Sequence, residues 1–256
     1  MTRWLWPGLI VLGLLAAWEA LARLYSVPRW LLPTPSSVGV ELWASRGLLW
    51  GHTLVTLEEV LIGFALALVV GVVLAVGIAY SRVLERSIYP LVIASQTVPI
   101  IAIAPLLLIW VGYGMAPKII VVALITFFPI VVNMVDGLRS VDADMANMLR
   151  TLGGSRWQVF TKVQVPTSLP FLFSGIRVAV AVSVVGAVIG EWVGASKGLG
   201  YLMLRSAPYF LTARIFAAIL ILSVIGVGLF VLVGVLERVL LPWYHDERRR
   251  RAVESS

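Results

Sequence analysis

Side chains able to do chemistry are scarce in this chain of 256 residues, and their spacing narrows what they can do. There is no cysteine, which removes thiol nucleophiles, disulfides and cysteine metal sites together. The two histidines, His52 and His245, stand far apart, and no acid, base, nucleophile or metal cluster gathers around either. His52 reads instead as an interfacial residue. No Gly-x-x-x-x-Gly-Lys-Ser/Thr run occurs, so the chain has no phosphate loop of its own and is not expected to be an enzyme. Ionisable residues within apolar runs, Glu19, Glu58, Glu59, Arg177 and Glu191 among them, are too few and too dispersed for a proton relay. Arg177 and Glu191 are fourteen positions apart, about 20 Å along one helix, and cannot pair directly. Arg177 is expected to snorkel or to meet a neighbouring helix and Glu191 to lie near an outer mouth; Glu58 and Glu59 could be gate or anchor residues, with water contact the simpler account.

What remains is neutral hydrogen-bonding chemistry beside prolines. Ser95-Gln96-Thr97 precedes Pro99 in a run that also holds Pro90 and Pro105. Prolines leave helical carbonyls without donors, and irregular backbone at membrane depth is tolerated where protein or a water-filled cavity surrounds it. Gln96, Thr97 and Pro99 are therefore candidates to line a translocation path. The competing reading is a kinked packing helix whose polar groups are satisfied internally. Asn133, on roughly the same helical face as Thr126, and Ser183 join the candidate set. All are neutral, and no ring of arginines points to an anion channel.

The elements that must hold these residues are apolar spans. The chain is 60% hydrophobic and 13% charged, with a mean hydropathy of +0.99. Ordinary soluble domains are about 45–50% apolar and about 25% charged. The fold class is all-α: a polytopic membrane protein with one transmembrane domain over 1–256. Its six helices are expected at about 4–24, 53–80, 87–111, 119–135, 171–192 and 214–241. The first run is too long for a signal peptide and lacks a small-residue cleavage site, so it is expected to be retained. Small residues at four-residue steps form packing seams. They are Gly63-Ala67-Gly71-Ala75-Ala79 in the second span, with Gly175-Ala179-Ser183-Ala187 and Gly186-Gly190-Gly194 in the fifth. A short amphipathic segment is expected over Val38 to Trp50, and an outer hairpin or re-entrant helix within 194–212.

One stretch between spans, 139–170, has the marks of a folded object. Asp142 and Asp144 suit a helix start, Gly153-Gly154 suits its end, and Ser155 with Gln158 makes a capping box. That box opens a second short helix, which Pro166 is expected to terminate. Lys and Arg crowd onto the side that holds this stretch: Arg3, Arg82, Arg86, Arg139, Arg150, Arg156, Lys162, Arg238 and Arg248 to Arg251. The positive-inside rule then makes the stretch and both termini cytoplasmic, with the basic tail an anchor to membrane lipid rather than to nucleic acid.

Gly153, with Val163 ten residues later and then Val165-Pro166, resembles the cytoplasmic-loop motif of permease subunits of bacterial ATP-binding cassette importers. That motif reads Glu-Ala-Ala, three residues, Gly, nine residues, Ile, one residue, Leu-Pro. Here Asn147-Met148-Leu149 stand at the Glu-Ala-Ala positions, a departure that bears on the detail of the ATPase contact. QTVPIIAIAPLLLIWVGYGMAPKI, GGSRWQVFTKVQVPTSLPFLFSGIRVA and IGEWVGASKGLGYLM are similar to the nitrate/sulfonate/taurine-type branch.

The resemblance implies the type I importer transmembrane-domain fold in a bacterial inner membrane. It implies a homodimer of permeases, an ATP-hydrolysing partner that binds the nucleotide, and an extracytoplasmic substrate-binding protein. Alternating access would move a small polar organic solute inward, with no cofactor on this chain. Within the branch, GEWVGASKGLGYL is nearest to permeases for vitamin precursors such as hydroxymethylpyrimidine or riboflavin, with sulfonate, taurine or nitrate as the other candidates. The ATPase contact would fall on Asn147, Met148, Leu149, Arg150, Leu152, Gly153, Arg156, Val163 and Pro166. A secondary transporter or a channel, working without an ATPase, is the alternative class.

Overall fold

Inside lipid every backbone N–H and C=O must be satisfied by the chain itself, which leaves helix as the natural choice for spans this apolar. The computed structural model describes residues 5–244, and it is helical with no strand among them. Arg3, His245 and Arg248 to Arg251 lie outside the described residues. The helices are α1 (Leu5–Leu24), α2 (Pro35–Ala44), α3 (Arg46–Tyr80), α4 (Arg82–Ser95), α5 (Ile100–Val111) and α6 (Ala116–Arg139). They continue with α7 (Ala143–Thr151), α8 (Arg156–Val159), α9 (Val165–Gly194), α10 (Leu199–Ser206) and α11 (Thr212–Leu240). Among the described residues, four stretches are long and apolar enough to cross a membrane: 46–80, 116–139, 156–194 and 212–240. The pair α4 and α5 makes a fifth if counted as one span, although it bends by 103°.

The core is α6, held between α3 and α9. Small residues make this possible by letting backbones approach within van der Waals contact. A methyl group on Gly63 would stand 2.6 Å from Val122 Cβ, and one on Gly175 would stand 2.6 Å from the Pro129 carbonyl oxygen. Gly186 and Gly190 leave slightly more room, with Val122 Cα 3.2 Å and Lys118 Cα 3.1 Å from where a methyl group would stand. The seams read from the sequence are therefore the two faces that grip α6. Val121, Val122, Ile130, Val131 and Val135 are buried between them, while Val69, Val73, Val224 and Val227 face outward.

Three expectations are corrected. The short amphipathic helix ends at Ala44, and α3 starts at Arg46 instead of Thr53, because Ser45 bonds back to Glu41 and lets the next helix begin at once. Three prolines are expected to interrupt the third span, but only Pro99 stands at a break between helices. Pro90 and Pro105 sit inside α4 and α5. Pro166 does not terminate a helix. The chain runs from α8 through a π-helical segment, Phe160–Gln164, directly into α9. The N–H of Val165 already bonds five residues back to the Phe160 carbonyl, so the ladder has widened before it reaches a residue with no N–H to donate.

Candidate functional site

The segment between α6 and α9 is built almost entirely by its caps. Asp142 accepts the Asp144 N–H at 2.8 Å and opens α7. At the other end, Gly153 has φ +83°, its N–H bonds to the Arg150 carbonyl, and the Gly154 N–H reaches the Leu149 carbonyl at 2.9 Å. That pair of bonds is a Schellman closure, which needs a left-handed residue where only glycine is unstrained. Ser155 and Gln158 then form the expected reciprocal box: the Ser155 N–H donates to Gln158 Oε1 at 2.7 Å, and the Gln158 N–H donates to Ser155 Oγ at 3.2 Å. Two short helices thus meet at a fixed corner, with Val159 of α8 their one buried residue.

That corner turns apolar side chains to the outside. Met148 is 67% exposed and Leu152 75%, with Met145 and Trp157 exposed beside them. Asn147, Arg150 and Arg156 are exposed on the same segment, and Leu149 is partly buried. Val163 and Pro166 are partly buried where the π segment joins α9. Tyr80, at the end of α3, donates to Gln164 and packs edge-on to Phe160, which ties this corner to the bundle. A contiguous apolar surface held rigid by caps is suited to docking on another protein.

The neutral polar candidates do not share one site. Gln96 and Pro99, with Ser95, line a cleft of about 710 Å³ at the break between α4 and α5, which Leu124, Ile125, Phe127 and Ile189 also line. Thr97 sits in the same break and donates to the Ala94 carbonyl at 2.8 Å. Asn133 bonds back to the Pro129 carbonyl at 2.8 Å beside Gly175. Ser183 is fully buried and donates to the Val180 carbonyl at 2.7 Å.

A second polar constellation, absent from those candidates, lies at the opposite end of the bundle. Thr56 and Tyr80 on α3 are twenty-four positions apart, about 36 Å of helix. Around Thr56 are Glu59 and Glu191, both fully buried, and Lys118, which donates to Glu59. Glu191 Oε1 accepts from Thr56 Oγ1 at 2.6 Å, and its Oε2 accepts the Gly200 N–H and, at 3.2 Å, the Tyr201 N–H. Glu58 is exposed, whereas Glu59 is buried and so departs from the water contact expected of it. His52 accepts the Gly198 N–H at its Nδ1, 2.9 Å away. Glu19 is paired locally, accepting from Arg23 and Ser36 and so fastening α1 to α2. Arg177 takes the second of its two expected courses and meets Glu237 on α11.

Comparison with known proteins identifies this architecture. A family model described as "binding-protein-dependent transport system inner membrane component" matches residues 67–242. The chain is 40% identical to the formylaminopyrimidine transport permease protein ThiX of Halalkalibacterium halodurans, over 93% of its own length and 95% of that protein. It is 41% identical to the riboflavin transport system permease protein RibX of Chloroflexus aurantiacus, over 95% and 93%. It is 32% identical to the putative aliphatic sulfonates transport permease protein SsuC of Bacillus subtilis, over 94% and 88%. A solved structure of the MetNI methionine ABC transporter, inward facing, shares the fold with a TM-score of 0.60 at 20% identity, covering 77% of this chain and 96% of that one. A polytopic helical bundle with a capped corner between two spans, matched over this length, is the type I importer permease fold. The chain belongs to the inner membrane components of binding-protein-dependent ATP-binding cassette importers, in the branch that includes the sulfonate and taurine permeases.

Proposed function

We propose that this chain works as a pair of identical permeases that pass a vitamin precursor of the pyrimidine or flavin type inward. Six spans place both termini and the α7–α8 corner in the cytoplasm, with α1 as the first. An ATPase subunit binds the nucleotide and docks on that corner through Met148, Leu149 and Leu152, while Arg150 and Arg156 meet acidic residues at the rim of its groove. Gly153 makes the corner sharp, and Val163 and Pro166 carry its movement into α9. The observation that supports this is the exposure of Met148 and Leu152 on a rigid corner joined to α9 without a helix break. Relatives named for formylaminopyrimidine and riboflavin transport support the substrate class, and the neutral groups at the α4–α5 break suit a polar, uncharged solute.

Reconstitution tests the reading. Proteoliposomes holding this chain, its ATPase partner and its binding protein should accumulate hydroxymethylpyrimidine or riboflavin when ATP is supplied. Uptake of taurine instead would reassign the substrate. Uptake driven by a proton gradient without the ATPase would replace the importer with a secondary transporter. Gly153→Trp should leave membrane insertion intact and abolish ATP-driven uptake.

A further inference from the structure

The first turn of a helix leaves N–H groups with no partner inside the helix, and in apolar surroundings they must find one elsewhere. In α10 each of the first of these N–H groups is received by a side chain from another helix. Gly198 donates to His52 Nδ1 at 2.9 Å, Leu199 to Thr56 Oγ1 at 2.8 Å, and Gly200 and Tyr201 to Glu191 Oε2. Thr56 also donates to Glu191 Oε1, which ties the α3 and α9 receivers together. The fit is close. Gly198 has φ +118°, and a methyl group there would stand 2.2 Å from the Glu191 carboxyl carbon. Leu199, the first residue of α10, is fully buried against α3, α9 and α11.

Behind this docked end lies polar chemistry that an apolar bundle has no structural reason to keep. Lys118 and Glu59 are buried together, and Glu59 Oε2 has no hydrogen-bond partner. Both line a cavity of about 600 Å³ with Tyr113, Gly114, Ser196 and Lys197, the last two in the turn that leads into α10. A charged pair in such a place is costly unless the site is sometimes opened to water or to a polar solute.

We propose that His52, Thr56 and Glu191 are positioning residues that hold α10 as a closure at the end of the bundle opposite the α7–α8 corner, over the Glu59–Lys118 pair. The proposal rests on the importer reading, in which that end faces outward and opens once per cycle. His52 and Thr56 come from α3 and Glu191 from α9, so a relative shift of those helices breaks the receiving set apart. Closure is then coupled to the same two helices that meet at the corner through Tyr80 and Gln164.

The absence of cysteine makes the test direct. Leu199→Cys in the full chain, assembled with its ATPase partner in membranes, places one thiol at the docked end. A membrane-impermeant maleimide should react with it slowly without nucleotide, and at least ten times faster with a non-hydrolysable ATP analogue and the binding protein. In the same background, Thr56→Val and Glu191→Ala should give the fast rate without nucleotide, whereas Thr56→Ser, which keeps the hydroxyl, should stay slow. A nucleotide-independent rate in the Leu199→Cys chain overturns the closure. Equal rates for Thr56→Val and Thr56→Ser overturn the positioning role. Failure of the ATPase to copurify would sink the importer reading instead, and is seen before any labelling.

Discussion

Arg177 on α9 and Glu237 on α11 form an ion pair at 2.5 Å where the two helices otherwise meet through Ile176, Val180 and Val233. Gly234 leaves room for it, since a side chain there would press on the guanidinium at 3.3 Å. The Arg177 side chain keeps 33% of its surface exposed and the Glu237 side chain 9%, so the pair is less costly to break than a fully buried one. Arg177→Met alone should lower stability by about 1–3 kcal/mol, below the ~3–5 kcal/mol of complete burial. Adding Glu237→Leu should recover most of it. Melting temperatures of the purified single and double variants check this.

The seam around α6 makes a second prediction. Gly63→Ala places a methyl group 2.6 Å from Val122 Cβ and 2.9 Å from the Ile119 carbonyl oxygen, and backbone cannot yield as a flexible side chain does. A loss of about 1–3 kcal/mol is expected from overpacking. Gly51→Ala, in the same helix with nothing within 4 Å, should be neutral or gain up to ~1 kcal/mol from helix propensity. Denaturation of both variants in one detergent separates the two effects.

On the α7–α8 corner, Met148→Asp and Leu152→Asp alter residues that are exposed and support nothing beneath them. Melting temperature should stay within a degree or two, while affinity for the ATPase subunit falls about 30-fold, as expected for a contact worth ~2 kcal/mol. Titration of the detergent-purified chain with its ATPase measures the affinity, and an unchanged value would show that the contact lies elsewhere.

Glu41 on α2 gives a pH signature. Burial pushes its carboxyl up, but hydrogen bonds from Ser45 and Arg214, with the charge of Arg214, outweigh burial and leave it below the ordinary 4.5. The folded chain therefore holds this proton less readily than the unfolded chain does. The resulting stability is complete above about pH 4.5 and is lost as pH falls through the lower, folded value. The melting temperature of the parent should exceed that of Glu41→Gln at neutral pH, and the gap should shrink below about pH 4.

Local signals were readable and distant ones were not. Asp142, Gly153 and the Ser155–Gln158 box announce the corner because each cap is satisfied within a few residues of its own position. The four-residue glycine ladders announce packing faces, because one helix carries the whole stripe. Nothing comparable announces Thr56 with Glu191, which are 135 positions apart, or Glu59 with Lys118, which are 59 apart. The only local sign was an ionisable residue in an apolar run, and a position near the end of a span made water the simpler partner. Pro99 and Pro90 show the same limit: both are prolines in one run, yet only Pro99 stands at the break where two helices bend by 103°.

The π segment sets an angle as well as a distance. Successive residues of a helix turn by about 100°, so one residue more or less between Phe160 and Gln164 would swing Arg156 and Trp157 through that arc around the axis of α9. The corner would keep its caps, its length and its apolar surface, and still present them in the wrong direction. The interval from Gly153 to Pro166 is thus an indexing device, and two permeases could exchange this segment only if their helices were wound to the same phase.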